Sequence, residues 1–144
     1  MLWLEPLSRL ILALWWGSLT SLGLWVVPQL FIHLGVPAMA GTLAGHLFTT
    51  QNLVGLSAAV LYLLLQVLQG GWMVLRRWHP GGILALLVMA IGFSQGVVFP
   101  LIIARDNLPL WHSVGSALFV LEWLGLTWLM WRQNAVTTVS MEQP

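Results

Sequence analysis

Four stretches of this sequence, about Leu7–Ile32, Asn52–Leu75, Ile83–Ala104 and Leu110–Trp131, run mostly apolar for twenty residues or more. About 20 such residues, wound as a helix, cross a hydrocarbon layer of about 30 Å. Backbone polar groups in hydrocarbon must bond within their own segment, so runs of this length become helices. The fold expected is an all-α membrane protein, a four-transmembrane-helix bundle over residues 1–132. A polar tail, 133–144, follows and is expected to be cytoplasmic and disordered. Turn residues separate the runs: Gly35 and Pro37, then Pro80-Gly81-Gly82, then Asp106-Asn107-Leu108-Pro109.

Charge supports the same solvent. Only 6% of the 144 residues are charged, against about 25% in soluble domains, so the chain cannot cover a water-facing surface. A formal net charge of +1 gives no reason to expect nucleic acid as a partner. The sequence has no cysteine, which excludes disulfides and thiolate chemistry. The first apolar run is too long for a cleavable signal and carries no convincing A-x-A, so it reads as a retained helix.

Four spans put both termini and the 76–82 loop on one side. Arg9, Arg76, Arg77 and Arg132 fall there, against Arg105 alone on the other. The positive-inside rule then places both termini in the cytoplasm of a bacterial inner-membrane protein. Trp3, Trp72, Trp78, Trp128 and Trp131 would form the inner aromatic belt, with Trp111 at the outer one. Residues 38–75 as one helix would measure about 55 Å, too long for the bilayer. A short helix lying along the outer interface is therefore expected, bending near Gln51-Asn52 into the second span.

A repeat is visible in the prolines. Pro28 and Pro37 recur 72 residues later as Pro100 and Pro109, and VVPQLFI (26–32) aligns with VFPLIIA (98–104). Pro28 and Pro100 are expected to kink the first and third helices.

Glu122 falls near the middle of the fourth span, where an ionised carboxylate costs at least about 3 kcal/mol. Each other span offers a polar side chain at similar depth: Thr20 and Ser21, Gln66, and Ser94 with Gln95. Two readings follow. The group is a protonatable or solute-binding midplane site, or Glu122 is hydrogen-bonded to Gln95 or Gln66 and holds the bundle together.

His33, His46 and His112 lie on the outer side near Asp106. Imidazole ligates metals and haem, so these three are the candidate metal or haem ligands, with copper or haem the cofactors to consider. No H-x-x-x-H or H-E-x-x-H spacing supports them, and they suit an interface without any ligand. His112 and Glu122, ten residues apart, are about 15 Å distant along a helix and cannot pair. Gly17-x-x-x-Ser21, Gly41-x-x-x-Gly45 and Gly92-x-x-x-Gly96 are close-approach patterns, available for packing or for a homo-oligomer or membrane-protein partner. No phosphate-binding loop or nucleophile–base arrangement is visible, so no catalytic residue is assigned.

The blocks LWWGSLTSLGLWVVPQLFIHLGVPAMAGTLAGHLF (14–48), VVFPLIIARDN (97–107) and LWHSVGSALFVLEWL (110–124) give the chain a family resemblance. It resembles the transmembrane-protein-205-like family, designated domain of unknown function 4149. Gly17, Pro28, Phe31, Ala40, Gly41, Gly45 and Phe48 match its first helix and loop, and Pro100, Arg105 and His112 its later positions. Gly115 and Phe119 depart from it, where the family tends to have serine and asparagine. The resemblance implies four transmembrane helices and no defined activity, with an animal relative associated with platinum-drug resistance. More distantly the chain is similar to copper-resistance membrane proteins of the D type and to the membrane protoporphyrinogen oxidase. Three functions stay open: a protein that binds or moves a small solute or metal, a haem- or copper-binding redox protein, and an assembly subunit of a membrane complex.

Overall fold

The computed structural model describes residues 3–70 and 78–141, with side chains described for 3–70 and 81–133. Within them the chain is helical between short turns. Helix α1 (Leu4–Ser21) passes through a π-helical turn (Leu22–Val26) into α2 (Val27–His33), and α3 covers Pro37–Gly70. Helix α4 (Trp78–Phe93) passes through a second π-turn (Ser94–Val98) into α5 (Phe99–Ile103), and α6 covers Leu108–Met141. Four rods, Leu4–His33, Pro37–Gly70, Gly81–Ile103 and Leu108–Gln133, are long and apolar enough to cross a membrane.

The side-chain pairs fix the directions of these rods. Ser18 meets Gln51 and Leu4 meets Gln69, so α1 and α3 run antiparallel. Trp16 meets Thr127 while Thr20 meets Trp123, so α1 and α6 also run antiparallel. Gly125 lies against Leu87 and Gly115 against Val98, which makes α4 antiparallel to α6. The first and third rods are therefore parallel. Their shared core joins Leu12, Trp15 and Leu19 of α1 to Ala58, Ala59 and Tyr62 of α3, Leu84, Leu87 and Ile91 of α4, and Leu126 and Leu129 of α6. Outside it, Leu14, Leu24, Val60, Leu64, Met89 and Leu124 stay exposed, as side chains facing lipid would.

Both prolines act on the backbone in the same way. A proline has no N–H to give the carbonyl four residues back. Ahead of Pro28, the Val27 N–H bonds five back to Leu22, and ahead of Pro100, the Phe99 N–H bonds five back to Ser94. The turns that end these rods echo each other too: Gly35 (φ +60°) and Asn107 (φ +41°) stand 72 residues apart and each precedes a helix with proline in its first turn. Glycine takes a positive φ at no steric cost and asparagine at little.

Two expectations change. No separate interfacial helix precedes the second span, because Pro37–Gly70 is one continuous α-helix of 34 residues. Gln51 and Asn52 are buried rather than placed at a bend. Thr42, Thr49 and Thr50 satisfy their hydroxyls on the carbonyls four residues back, so nothing polar competes with the helix there. The described part of the tail is not irregular either: α6 continues to Met141, with no glycine or proline between 126 and 141 to stop it. Of the residues used for orientation and the aromatic belt, Trp72, Arg76 and Arg77 lie outside the described residues.

Candidate functional site

Helix α6 carries Glu122 into the bundle, where it is 6% exposed. Trp15 of α1, itself buried, donates its indole Nε1–H to Glu122 Oε1 at 3.0 Å. Gly55 of α3 makes the space for that indole. A Cβ at 55 would stand 2.9 Å from Trp15 Nε1 and 3.1 Å from Ile91 Cδ1 of α4. All four rods thus meet at one polar pair. Among the described residues no second donor reaches the Glu122 carboxyl.

The same face of α3 continues polar. Gln51 and Asn52 each stand about one turn from Gly55 and flank it on this side of α3. Gln51 Nε2 donates to Ser18 Oγ at 3.0 Å, and Ser18 lies one turn along from Trp15. Asn52 is 5% exposed, and among the described residues its Nδ2 has no hydrogen-bond partner. A buried amide N–H without an acceptor costs about 1–3 kcal/mol, so this position is held against its own preference. Buried Glu122, Trp15, Gln51 and Asn52, with half-buried Ser18, make up the polar group considered as the candidate site.

This group differs from the one read in the sequence. Glu122 is central to both, yet none of Gln95, Gln66, Ser94 or Ser21 bonds to it. Gln95 Nε2 donates to the Thr49 carbonyl. Gln66 donates to the Tyr62 hydroxyl, which also accepts from Gln133. Ser94 opens the second π-turn, half-buried, and Ser21 is exposed. Thr20 serves a different pairing. Trp123 Nε1 donates to Thr20 Oγ1, which donates to the Trp16 carbonyl; Trp16 Nε1 donates to Thr127 Oγ1, which donates to the Trp123 carbonyl. The two indoles tilt against each other with centroids 5.8 Å apart. This closed cycle clamps α1 to α6. Its signal is in the sequence, as Trp-x-x-x-Thr at 16–20 and again at 123–127.

His33, His46 and His112 are exposed, and His33 Nε2 shares a hydrogen bond with Gln29 Oε1 at 2.9 Å. Among the described residues no cluster of His, Asp and Glu is placed to hold a metal ion. Phe119 takes a role of its own: its ring covers Gly23 in the first π-turn and meets Phe48 edge-on at 6.1 Å. Phe48 in turn lies 6.3 Å from Phe99, so the bundle beyond the polar group is closed by aromatic rings. Around Gly17, Gly41, Gly92 and Gly96 nothing lies within 4 Å of an added Cβ, so these small faces are open.

No curated protein and no solved structure gives a significant match to this chain. Residues 10–107 match a family described as a domain of unknown function, DUF4149. That stretch contains the first rod from Leu10 onward, the whole of the second and third rods, both π-turns and the Trp15, Ser18, Gln51, Asn52 and Gly55 side of the polar group. With the match extending over more than half its length, the chain belongs to the DUF4149 family.

Proposed function

We propose that this chain is an integral inner-membrane protein, both termini cytoplasmic, that binds a small polar or cationic solute within the bundle at Glu122. The transmembrane-protein-205-like resemblance belongs to this reading. One observation carries it: a buried carboxyl with a single donor lies among the same helices as a buried Asn52 amide with no partner. A solute with a donor for the carboxyl and an acceptor for the amide is the chemistry these two groups would recognise, and Trp15 holds the carboxyl in place. Arg9 and Arg132 on the side of the termini, against Arg105 beside Asp106, support the orientation.

The test is thermal stabilisation of the purified protein by a panel of monovalent and divalent cations, amines, polyols and amino acids. A compound present at about 100 times its Kd adds about 2.7 kcal/mol. The reading expects a compound that stabilises the native chain but neither Glu122→Gln nor Asn52→Leu. A panel without effect, or one whose effect survives both substitutions, would count against it. The open faces at Gly41, Gly92 and Gly96 favour a second reading, assembly with another membrane helix. Crosslinking in native membranes that captures a partner through residue 92 or 96 would support that one.

A further inference from the structure

An open groove runs along the outside of the bundle between α4 and α6, lined by α6 residues on either side of Glu122 but not by Glu122 itself. Its floor is the contact of Leu87 with Gly125, its walls include Leu86, Val120 and Leu124, and Trp128 closes one end. The far end reaches Ser116, whose hydroxyl turns back onto the His112 carbonyl and leaves the lining apolar. From 116 to 128 the groove follows α6 for about 18 Å. One leaflet of a hydrocarbon core about 30 Å thick is about 15 Å deep. The groove therefore has the length of a single acyl chain.

At the Trp128 end stands a cation. The Arg132 guanidinium lies over the Trp128 ring, 5.3 Å from its centroid, and is solvent-exposed. Among the described residues no carboxylate pairs with it; the one ion pair described joins Arg9 to Glu5. Stacking uses the flat face of a guanidinium and leaves its edge N–H groups free for a planar or tetrahedral oxyanion. A tryptophan with an arginine one turn beyond it is also the pattern of a membrane–water boundary.

We infer that the α4–α6 groove is a binding site for one anionic phospholipid in the leaflet on the side of the chain termini, with an acyl chain along Leu86, Val120 and Leu124 and the phosphate on Arg132. Charge selects this occupant over a second copy of the chain. A two-fold dimer closed through the groove would bring two Arg132 guanidinium groups together at its Trp128 end, which like charges disfavour.

The experiment is native mass spectrometry of the full chain, released from detergent with phosphatidylglycerol and phosphatidylcholine of the same chain length in equal amounts. Native protein is expected to retain phosphatidylglycerol over phosphatidylcholine by about fivefold, the factor for one basic residue meeting an anionic headgroup. Arg132→Gln, at an exposed position that leaves the fold intact, is expected to bring the two lipids level. Ala117→Phe, which fills the groove, is expected to lower retention of both. Equal retention by the native chain, or a preference that survives Arg132→Gln, would overturn the site. So would a concentration-dependent dimer that Ala117→Phe abolishes, since the groove would then belong to a second copy.

Discussion

Trp15→Phe separates the hydrogen bond at the centre of the bundle from the packing around it. Phenylalanine keeps an aromatic ring against Gly55 and Ile91 but has no N–H to give Glu122 Oε1. A buried acceptor left without its donor costs about 1–3 kcal/mol. The ring atoms lost from a side chain that is 1% exposed add about 1 kcal/mol. The single substitution should therefore destabilise the protein by about 2–4 kcal/mol. Glu122→Met, of similar volume, removes the acceptor and leaves the indole N–H orphaned instead. With both substitutions neither orphan remains, so the double variant should be more stable than the sum of the singles implies. For interhelical hydrogen bonds in membranes that difference averages about 0.6 kcal/mol and reaches about 1.7 kcal/mol. The geometry here, a direct 3.0 Å bond between two buried side chains, places it at the upper end. Reversible unfolding in mixed micelles, or steric trapping in bicelles, measures all four corners of the cycle. A cycle that closes within about 0.5 kcal/mol would show that Trp15 stabilises the bundle through its bulk alone.

Three further outcomes follow from the same contacts. Gly23→Ala would set a Cβ 2.2 Å from Phe119 Cζ and should cost about 1–3 kcal/mol in that unfolding assay; Phe119→Leu should relieve most of it, whereas Gly17→Ala, with nothing within 4 Å, should stay within about 0.5 kcal/mol. Thr20→Val and Thr127→Val each remove one acceptor of the Trp16–Trp123 clamp and should cost about 0.6–1.7 kcal/mol apiece, with the pair non-additive because the four bonds form one cycle. Since the sequence contains no cysteine, single cysteines at positions 35 and 106 should react with an impermeant maleimide from the periplasmic face, and one at position 3 only after permeabilisation; the reverse pattern would invert the proposed orientation.

Much of the architecture could be read from hydropathy, because lipid imposes one simple requirement on every residue of a span. The four rods and the two prolines stand where the apolar runs put them, although Pro80-Gly81-Gly82, read as a turn, lies inside α4 and the second rod begins at Pro37 rather than Asn52. The interior was less legible. Trp15 looks in a sequence like any other apolar residue of a span, and its bond to Glu122 joins positions 107 residues apart. Gln66 lies at another depth, since it bonds Tyr62 beside Gln133, eleven residues past Glu122 on α6, while Gly55 is the α3 residue level with Glu122. Ser94 and Gln95 lie within about a turn of Ile91, but depth says nothing about which way a helix turns them. Gln51 and Asn52 misled for a related reason. Two amides in a row suggest water, and only the facing Ser18 and Trp15 show why they lie inside. The Trp-x-x-x-Thr pair was within reach, as a short pattern repeated on two helices that prove to be antiparallel neighbours.

The two π-turns bear on how relatives of this chain should be aligned. Each holds one residue more than an α-turn, and one residue is about 100° of rotation. Along α1 the buried positions Ser8, Leu12, Trp15, Leu19 and Leu22 follow a regular stripe, yet no residue of Val27–His33 is buried, and none of Phe99–Ile103. The stripe is broken where the extra residue enters. In a relative lacking that one residue, the same outer sequence would swing toward the bundle axis and compete for the space that Phe48 and Phe119 now fill. A gap of a single position at 22–26 or 94–98 therefore separates two different outer surfaces, however similar the letters on either side.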